Sequence, residues 1–276
     1  MLLNKNIAVA ACSIATIFAF SACKNGNKNA ANSAKDSSAV STVLKPGSTI
    51  KLDSTKKYVF LTWDDSPQPP GTSNVLRVFK EQGVKATFFS VGANAFDPLR
   101  KRILDTLHNS YPQFLMANHS WTHASNKYRW FYAHPDSALN DFMRMQNTYN
   151  IDVKIIRLPG MNSWVLNKEI SGQKTPLQVC QRLDSLGYSV IGWDVEWQQG
   201  KGSTPVQSAE AMANMVKTKL ANGETKAQNA IVILSHDRLF GKPQYADSLA
   251  KFITLLKQDT SIAFETIDHY PLVQGK

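Results

Sequence analysis

Two adjacent carboxylates, Asp64 and Asp65, close a β-branched and aromatic run from Tyr58 to Pro67. Well inside a strand, neighbouring side chains point to opposite faces, so one of the pair would lie in the core. At a strand's last residues, where Pro67 and Gly71 turn the chain, both can face the mouth of a site. An aspartate in such a place usually meets a metal or a base, although an isolated Asp-Asp pair is also ordinary turn chemistry. His119 and His123 stand four apart, so on one helical turn both imidazoles face the same way, a common arrangement for two zinc ligands. Two histidines and one aspartate form an N/O set that suits Zn2+ and leaves positions for water and substrate. Such a metal lowers the pKa of its water and polarises a carbonyl. With two aspartates at hand, one can bind metal while the other takes the proton of an attacking water. Arg157 can keep that second carboxylate charged by pairing with it, and His236 is placed to protonate a leaving group once an acid orients it. Trp63, Trp121, Trp164, Trp193 and Trp197 lie beside these segments. Flat aromatics next to a polar site suit sugar rings, and suit a core equally well.

An alternation of strands and helices must position these groups. After the first strand, Thr72 to Gln82 has a helical apolar stripe and stops at Gly83. A strand at Ala86 to Val91, a helix from Pro98 to Leu107 and a strand at Phe114 to Ala117 follow. Next come a helix from Pro135 to Tyr149 and a strand at Lys154 to Leu158. Thr175 is expected to cap a helix that Pro176 opens and Gly187 ends, before a strand at Tyr188 to Trp193. Ser208 to Leu220 and Tyr245 to Gln258 read as helices, Ala230 to Ser235 and Ala263 to Thr266 as strands. This is one α/β domain with a parallel sheet. About seven strands suit a barrel better than an open doubly wound sheet, and both put the active site at the carboxyl ends of the strands. Asp64, Asp65, His119, His123, Arg157, Asp194, Glu196 and His236 all fall there.

The N-terminus has a different character. Lys5, the apolar run Ile7 to Phe20 and the small residues Ser21 to Cys23 form a secretory signal in three zones, and the run is shorter than the about 20 residues a spanning helix needs. Phe20-Ser21-Ala22-Cys23 resembles a bacterial lipobox, which implies cleavage after residue 22 and a lipidated Cys23. Residues 23–48, rich in Asn, Lys, Ser and Ala, read as a disordered tether, and 49–276 as the single folded domain. Cys180 is then the one thiol left, which excludes an intramolecular disulfide, and it reads as a small buried apolar residue. A hydrophobic fraction of 43% is ample for a core. Lys and Arg outnumber Asp and Glu by 31 to 21, but they are dispersed, which points to an anionic surface or glycan and against nucleic acid.

These residues resemble carbohydrate esterase family 4, the NodB-type polysaccharide deacetylases, over roughly Tyr58 to Thr266. Thr62-Trp63-Asp64-Asp65-Ser66-Pro67 matches its first motif, and His119-Ser120-Trp121-Thr122-His123 its second. Arg157-Leu158-Pro159 begins the third, and Leu234-Ser235-His236 matches the fifth. The resemblance implies a distorted (β/α)7 barrel in which Asp64 is the base, Asp65, His119 and His123 hold a divalent metal, and His236 is the acid. Zn2+ is the expected metal, with Co2+ or Ni2+ as substitutes. The implied reaction removes acetyl groups from a cell-envelope or dietary polysaccharide, an N-acetylglucosamine-type glycan or acetylated xylan. Ser66 departs from the family's glycine, and Gly160 stands where an aromatic is usual. The groove wall is therefore expected from Met161 or Trp164, with Pro159 and Trp197 also against substrate. In the fourth motif, Trp193-Asp194-Val195-Glu196-Trp197, either Glu196 or Asp194 would tune His236, strand register favouring Glu196. A monomer exported to the bacterial envelope, in the periplasm or on the outer surface, and held to a membrane by its lipid is the expected setting. Two other readings are a non-catalytic glycan-binding protein on this scaffold and an amidase acting on a small non-sugar substrate.

Overall fold

In the computed structural model, which describes residues 44–274, strand β1 (Lys57–Ser66) lies in the interior of the sheet. Val59, Phe60, Leu61 and Trp63 have no exposed surface, so β1 is buried on both faces, as the unbroken apolar run requires. It pairs in parallel with β2 (Ala86–Ser90) on one side and β9 (Ala230–His236) on the other, while β10 (Ile262–Phe264) joins its first residues. Beyond β2 the sheet continues through β3 (Phe114–Asn118), β4 (Ile155–Ile156) and β7 (Ser189–Val190); beyond β9 it ends at β8 (Val195–Glu196). Seven parallel strands thus run in the order β7-β4-β3-β2-β1-β9-β8, the strands of the expected distorted barrel.

The sheet also carries a hairpin that periodicity does not reveal. Strands β5 (Ser163–Leu166) and β6 (Glu169–Gly172) pair antiparallel, and β5 lies antiparallel to β7. Two expected strands are much shorter than their apolar runs, since only Ile155–Ile156 and Ser189–Val190 keep ladder geometry.

The helices follow their end signals. Helix α1 (Gly71–Gln82) stops at Gly83, whose φ of 60° places it in the left-handed region that glycine enters freely. Helix α2 (Pro98–His108) is capped by the Asp97 carboxylate, which accepts from the Arg100 N–H, and α6 (Ala209–Asn222) by Ser208. Helices α4 (Pro135–Thr148) and α7 (Pro243–Lys257) begin on proline. A six-residue helix, α3 (Tyr128–Ala133), precedes α4 and was not expected. The cap expected of Thr175 is not made: Pro176 occupies the cap position of α5 (Leu177–Ser185), and the Thr175 hydroxyl lies within hydrogen-bond reach of the Ser171 and Gly172 carbonyls. Cys180 is buried in α5, as its apolar reading required.

Aromatic packing explains two tryptophans. The Trp63 ring meets Phe79 edge-on at 4.9 Å, and Trp197 sits edge-on against Phe240 and Phe252. The expected signal peptide, the lipidated Cys23 and the tether as far as residue 43 lie outside the described residues. No described helix is long and apolar enough to cross a membrane.

The end of the sheet away from the strands' carboxyl termini is locked by charge. Glu265, whose N–H donates to the Val59 carbonyl, accepts from Lys85 Nζ at 2.8 Å and lies 3.0 Å from His269 Nδ1. Burial works to raise the Glu265 pKa, but His269, Lys85 and the Thr266 N–H together hold it down at about 2, against an ordinary 4.5. A carboxyl depressed in the folded state contributes stability that is complete above its unfolded pKa and is lost as pH falls through the folded one. Urea midpoints measured between pH 4.5 and pH 2 should therefore fall steeply for the native chain and much less for Glu265→Gln.

Candidate active site

Sheet register brings the chemical groups to one level. Asp64 of β1 is directly opposite His236 of β9 and Phe89 of β2. Ser90 of β2 is level with Asn118 of β3, and Asn118 with Ile156 of β4. His119 and Arg157 each follow these residues by one position, so five segments deliver their polar side chains to one end of the sheet.

A bulge lets both aspartates face the same space. Pairing with β2 skips a residue between Asp64 and Ser66, and Asp65 sits at φ 74°, a left-handed conformation that aspartate tolerates better than most residues. The two carboxylates escape strand alternation inside β1 itself rather than at a turn beyond it. The Asp65 carbonyl accepts from Asn94 Nδ2 at 2.8 Å. Ser66, which departs from the family's glycine, donates its hydroxyl to Asp237 Oδ2, as does Thr72. Burial pushes the Asp237 carboxyl up to about 7 against these two hydrogen bonds.

The histidines converge by another route than the expected helical turn. Ser120 and His123 both have positive φ, 73° and 52°, and the backbone from His123 to Asn126 is a kinked 3-10 turn. His119 Nδ1 lies 2.8 Å from the Arg157 carbonyl, so that nitrogen donates and Nε2 keeps a free lone pair. The Tyr128 hydroxyl lies 3.3 Å from His123 Nδ1. His119 Nε2 lies 3.7 Å and His123 Nε2 3.2 Å from Asp65 Oδ1, a buried oxygen with no hydrogen-bond partner. Burial holds His119 at about 4 and lowers His123, leaving both imidazoles neutral and able to donate lone pairs. Three ligand atoms within 4.8 Å of one another, one of them an unpartnered carboxylate oxygen, fit a divalent cation.

The two carboxylates are shifted in opposite directions. Asp64 is buried, which raises its pKa; Arg157 Nη1, at 2.8 Å from Oδ1, offsets part of that rise without reversing it. Arg157 therefore does not keep Asp64 in the ordinary acidic range, but leaves it a stronger proton acceptor. For Asp65 burial also opposes the charge, yet the surrounding histidines and the Arg238 guanidinium outweigh it and keep its carboxyl below the usual range. Arg238, on the turn Asp237–Phe240 after β9, pairs with Asp65 Oδ2 and was not singled out from the sequence. Its position two residues beyond His236 was the available signal.

His236 is largely buried, its Nδ1 has no hydrogen-bond partner, and burial lowers its pKa. Of the two acids weighed as its tuner, Asp194 is committed to the backbone, accepting at 2.7 Å from the N–H groups of both Lys226 and Val232. Glu196 shares a cleft with His236 and has its pKa raised by burial and then by Asp64, but it makes no hydrogen bond to the imidazole.

The expected aromatic wall is elsewhere. Trp197 is fully buried with its Nε1 donating to the Gln207 carbonyl, and Trp164 is stacked on Tyr270; both belong to the core. Pro159 is buried and its carbonyl accepts from the Tyr132 hydroxyl, while Met161 packs on the interior. Next to Gly160 stands Tyr128: a Cβ on residue 160 would come 3.2 Å from its ring.

A sequence profile of the polysaccharide deacetylase family matches residues 51–173. A peptidoglycan-N-acetylglucosamine deacetylase of Bacillus cereus is 28% identical over 192 residues, covering 66% of this chain and 60% of the relative. A chitooligosaccharide deacetylase of Sinorhizobium fredii is 43% identical over 67 residues, 24% of this chain and 28% of the relative. The chain thus aligns with 60% or less of these relatives' length. Among solved structures, the catalytic domain of a Eubacterium rectale peptidoglycan N-acetylglucosamine deacetylase superposes with TM-score 0.56 at 20% identity, over 78% of this chain and 90% of that one. A family 4 carbohydrate esterase of Streptomyces lividans gives 0.53 at 20%, over 78% and 95%. At these identities the likeness to the solved structures is one of fold.

Arg157 has no exposed surface and meets Thr62 Oγ1, Asp64 Oδ1 and the Ile191 and Gly192 carbonyls. Arg157→Met should cost about 3 to 5 kcal/mol in urea unfolding, because Asp64 is left as an unpaired buried charge. Adding Asp64→Asn should recover part of that loss, a non-additivity that the double-mutant cycle reads directly.

Proposed function

We propose that this chain, which belongs to the polysaccharide deacetylase family, is a metal-dependent hydrolase removing acetyl groups from a polysaccharide, with N-acetylglucosamine-type glycans favoured over acetylated xylan. One observation carries the reading: the Asp65, His119 and His123 donor atoms converge while Asp64 Oδ2 stands 3.5 Å from His119 Nε2. Asp65, His119 and His123 would hold the cation, and two imidazoles with one carboxylate suit Zn2+ best. When bound, such a cation polarises an acyl carbonyl and lowers the pKa of water.

The chain's own groups supply the proton transfers. Asp64, raised by burial, accepts the proton of the attacking water, and Arg157 fixes the carboxylate so that Oδ2 faces the metal ligands. His236, opposite Asp64 on the neighbouring strand, delivers a proton to the departing amine or alcohol. Glu196, in the His236 cleft, is the acid nearest in role to a tuner. The similarity to a peptidoglycan-N-acetylglucosamine deacetylase and a chitooligosaccharide deacetylase supports the glycan class.

Acetate release from peptidoglycan, chitin oligomers and acetylated xylan, with zinc and with chelator, tests this reading. Asp64→Asn should retain zinc but lose at least about a hundredfold in turnover, the scale of a positioned general base. Full acetate release by that variant would remove Asp64 from the role. Glycan binding by the zinc-loaded native chain without acetate release would point instead to a non-catalytic binding protein.

The N-terminal sequence supports export and lipid anchoring at Cys23. Metabolic labelling with a fatty acid should mark the full chain, and Cys23→Ser should abolish the label; label retained on the serine variant would refute the anchor.

A further inference from the structure

The cleft over the presumed ligand set is built almost wholly from polar side chains, among them Asp65, Gln68, Asn94, His123 and Arg238. Tyr128, at the start of α3, is the exception, presenting the one benzene ring in that lining. The ring is half-buried and fixed on two sides. It crosses the His123 imidazole edge-on at 5.7 Å, with its hydroxyl 3.3 Å from Nδ1. On the other side its edge rests on Gly160, where a Cβ would lie 3.2 Å from Cε1 and 3.4 Å from Cδ1. Gly160 is itself at φ 67°, a conformation that side chains other than glycine's rarely take. A Cβ at 160 would crowd the ring, which would have to give by a few tenths of an ångström, so the ring stands this close because residue 160 has no side chain.

A rigid, flat, partly exposed ring in an otherwise hydrogen-bonding cleft is suited to the apolar C–H face of a pyranose, while the polar groups around it satisfy the hydroxyls. The ring also continues outwards, since the adjoining cleft, lined by Trp130 and His134, shares Asn126 and Tyr128 with this one. We propose that Tyr128 is a specificity-determining residue, its ring taking the space that a side chain at residue 160 would fill and forming the wall on which the reacting sugar packs. This rests on the deacetylase reading for the identity of the sugar, and on the Tyr128–Gly160 contact for the wall.

Calorimetric titration with the N-acetylglucosamine tetramer, on the full chain loaded with zinc, tests the proposal separately from catalysis. Tyr128→Ala should weaken tetramer binding about tenfold, the scale of one lost aromatic contact, and raise KM by more than it lowers kcat. Tyr128→Leu, which keeps packing volume but not a flat face, should show the same loss, guarding against a folding defect. Tyr128→Phe should bind the tetramer within about threefold of the native chain, since only the hydroxyl is gone. Zinc affinity, measured by competition with a chelating dye, should be alike in all three, since each lacks the hydroxyl beside His123 Nδ1. The proposal is overturned if Ala and Leu bind the tetramer as the native chain does, if Phe falls as far as Ala, or if the differences in tetramer binding among the three variants follow differences in their zinc affinity. It is overturned also if the native chain binds no tetramer. If the native chain binds tetramer without releasing acetate, the deacetylase reading fails while the binding comparison still decides the wall.

Discussion

A carboxylate cannot be taken out of water without an answering charge, and in this fold the answer to Asp64 comes from inside the sheet. Arg157 is as buried as its partner and spends its donors on a hydroxyl of β1, the Asp64 carboxylate and two carbonyls of the segment after β7. Its own backbone carbonyl orients His119. One guanidinium thus ties β1, β4 and the chain beyond β7 together at the level where chemistry is expected, and its residue's carbonyl sets the tautomer of a candidate metal ligand. Loss of that residue would disturb packing, charge and ligand orientation together.

The same burial separates two residues of identical type. Asp64 and Asp65 are neighbours in sequence, but one is desolvated beside a single arginine and the other is ringed by imidazoles and Arg238. Their proton affinities move in opposite directions, and a pair pushed apart in this way can divide proton transfer from metal ligation. Aspartate identity alone does not distinguish the roles; the bulge at Asp65, which aims the two side chains at different partners, does.

Residue type and order made the polar set legible, because Asp-Asp at a strand end, His-x-x-x-His, Arg-x-Pro and a strand-end histidine each have few physical uses. How the set converges was not legible. Ser120, His123 and Asp65 all take positive φ, and nothing in a serine, histidine or aspartate announces that backbone choice. The β5–β6 hairpin leaves no mark in the sequence because four-residue strands carry too little alternation to count. Helix α3 leaves none because Tyr128 to Ala133 is aromatic nearly all round and has no polar face to mark a period. Trp164 and Trp197 sit near the right loops in the chain, yet the hydrophobic effect draws them inward, and proximity in sequence to a site says nothing about which way a ring turns.

The close approach of Gly160 and Tyr128 constrains what either position can accept. A side chain introduced at 160 while the tyrosine remains crowds its ring and has to take a left-handed backbone that only glycine enters freely. What a substitution does at either position is therefore set by the residue at the other, and the two act as one coupled pair.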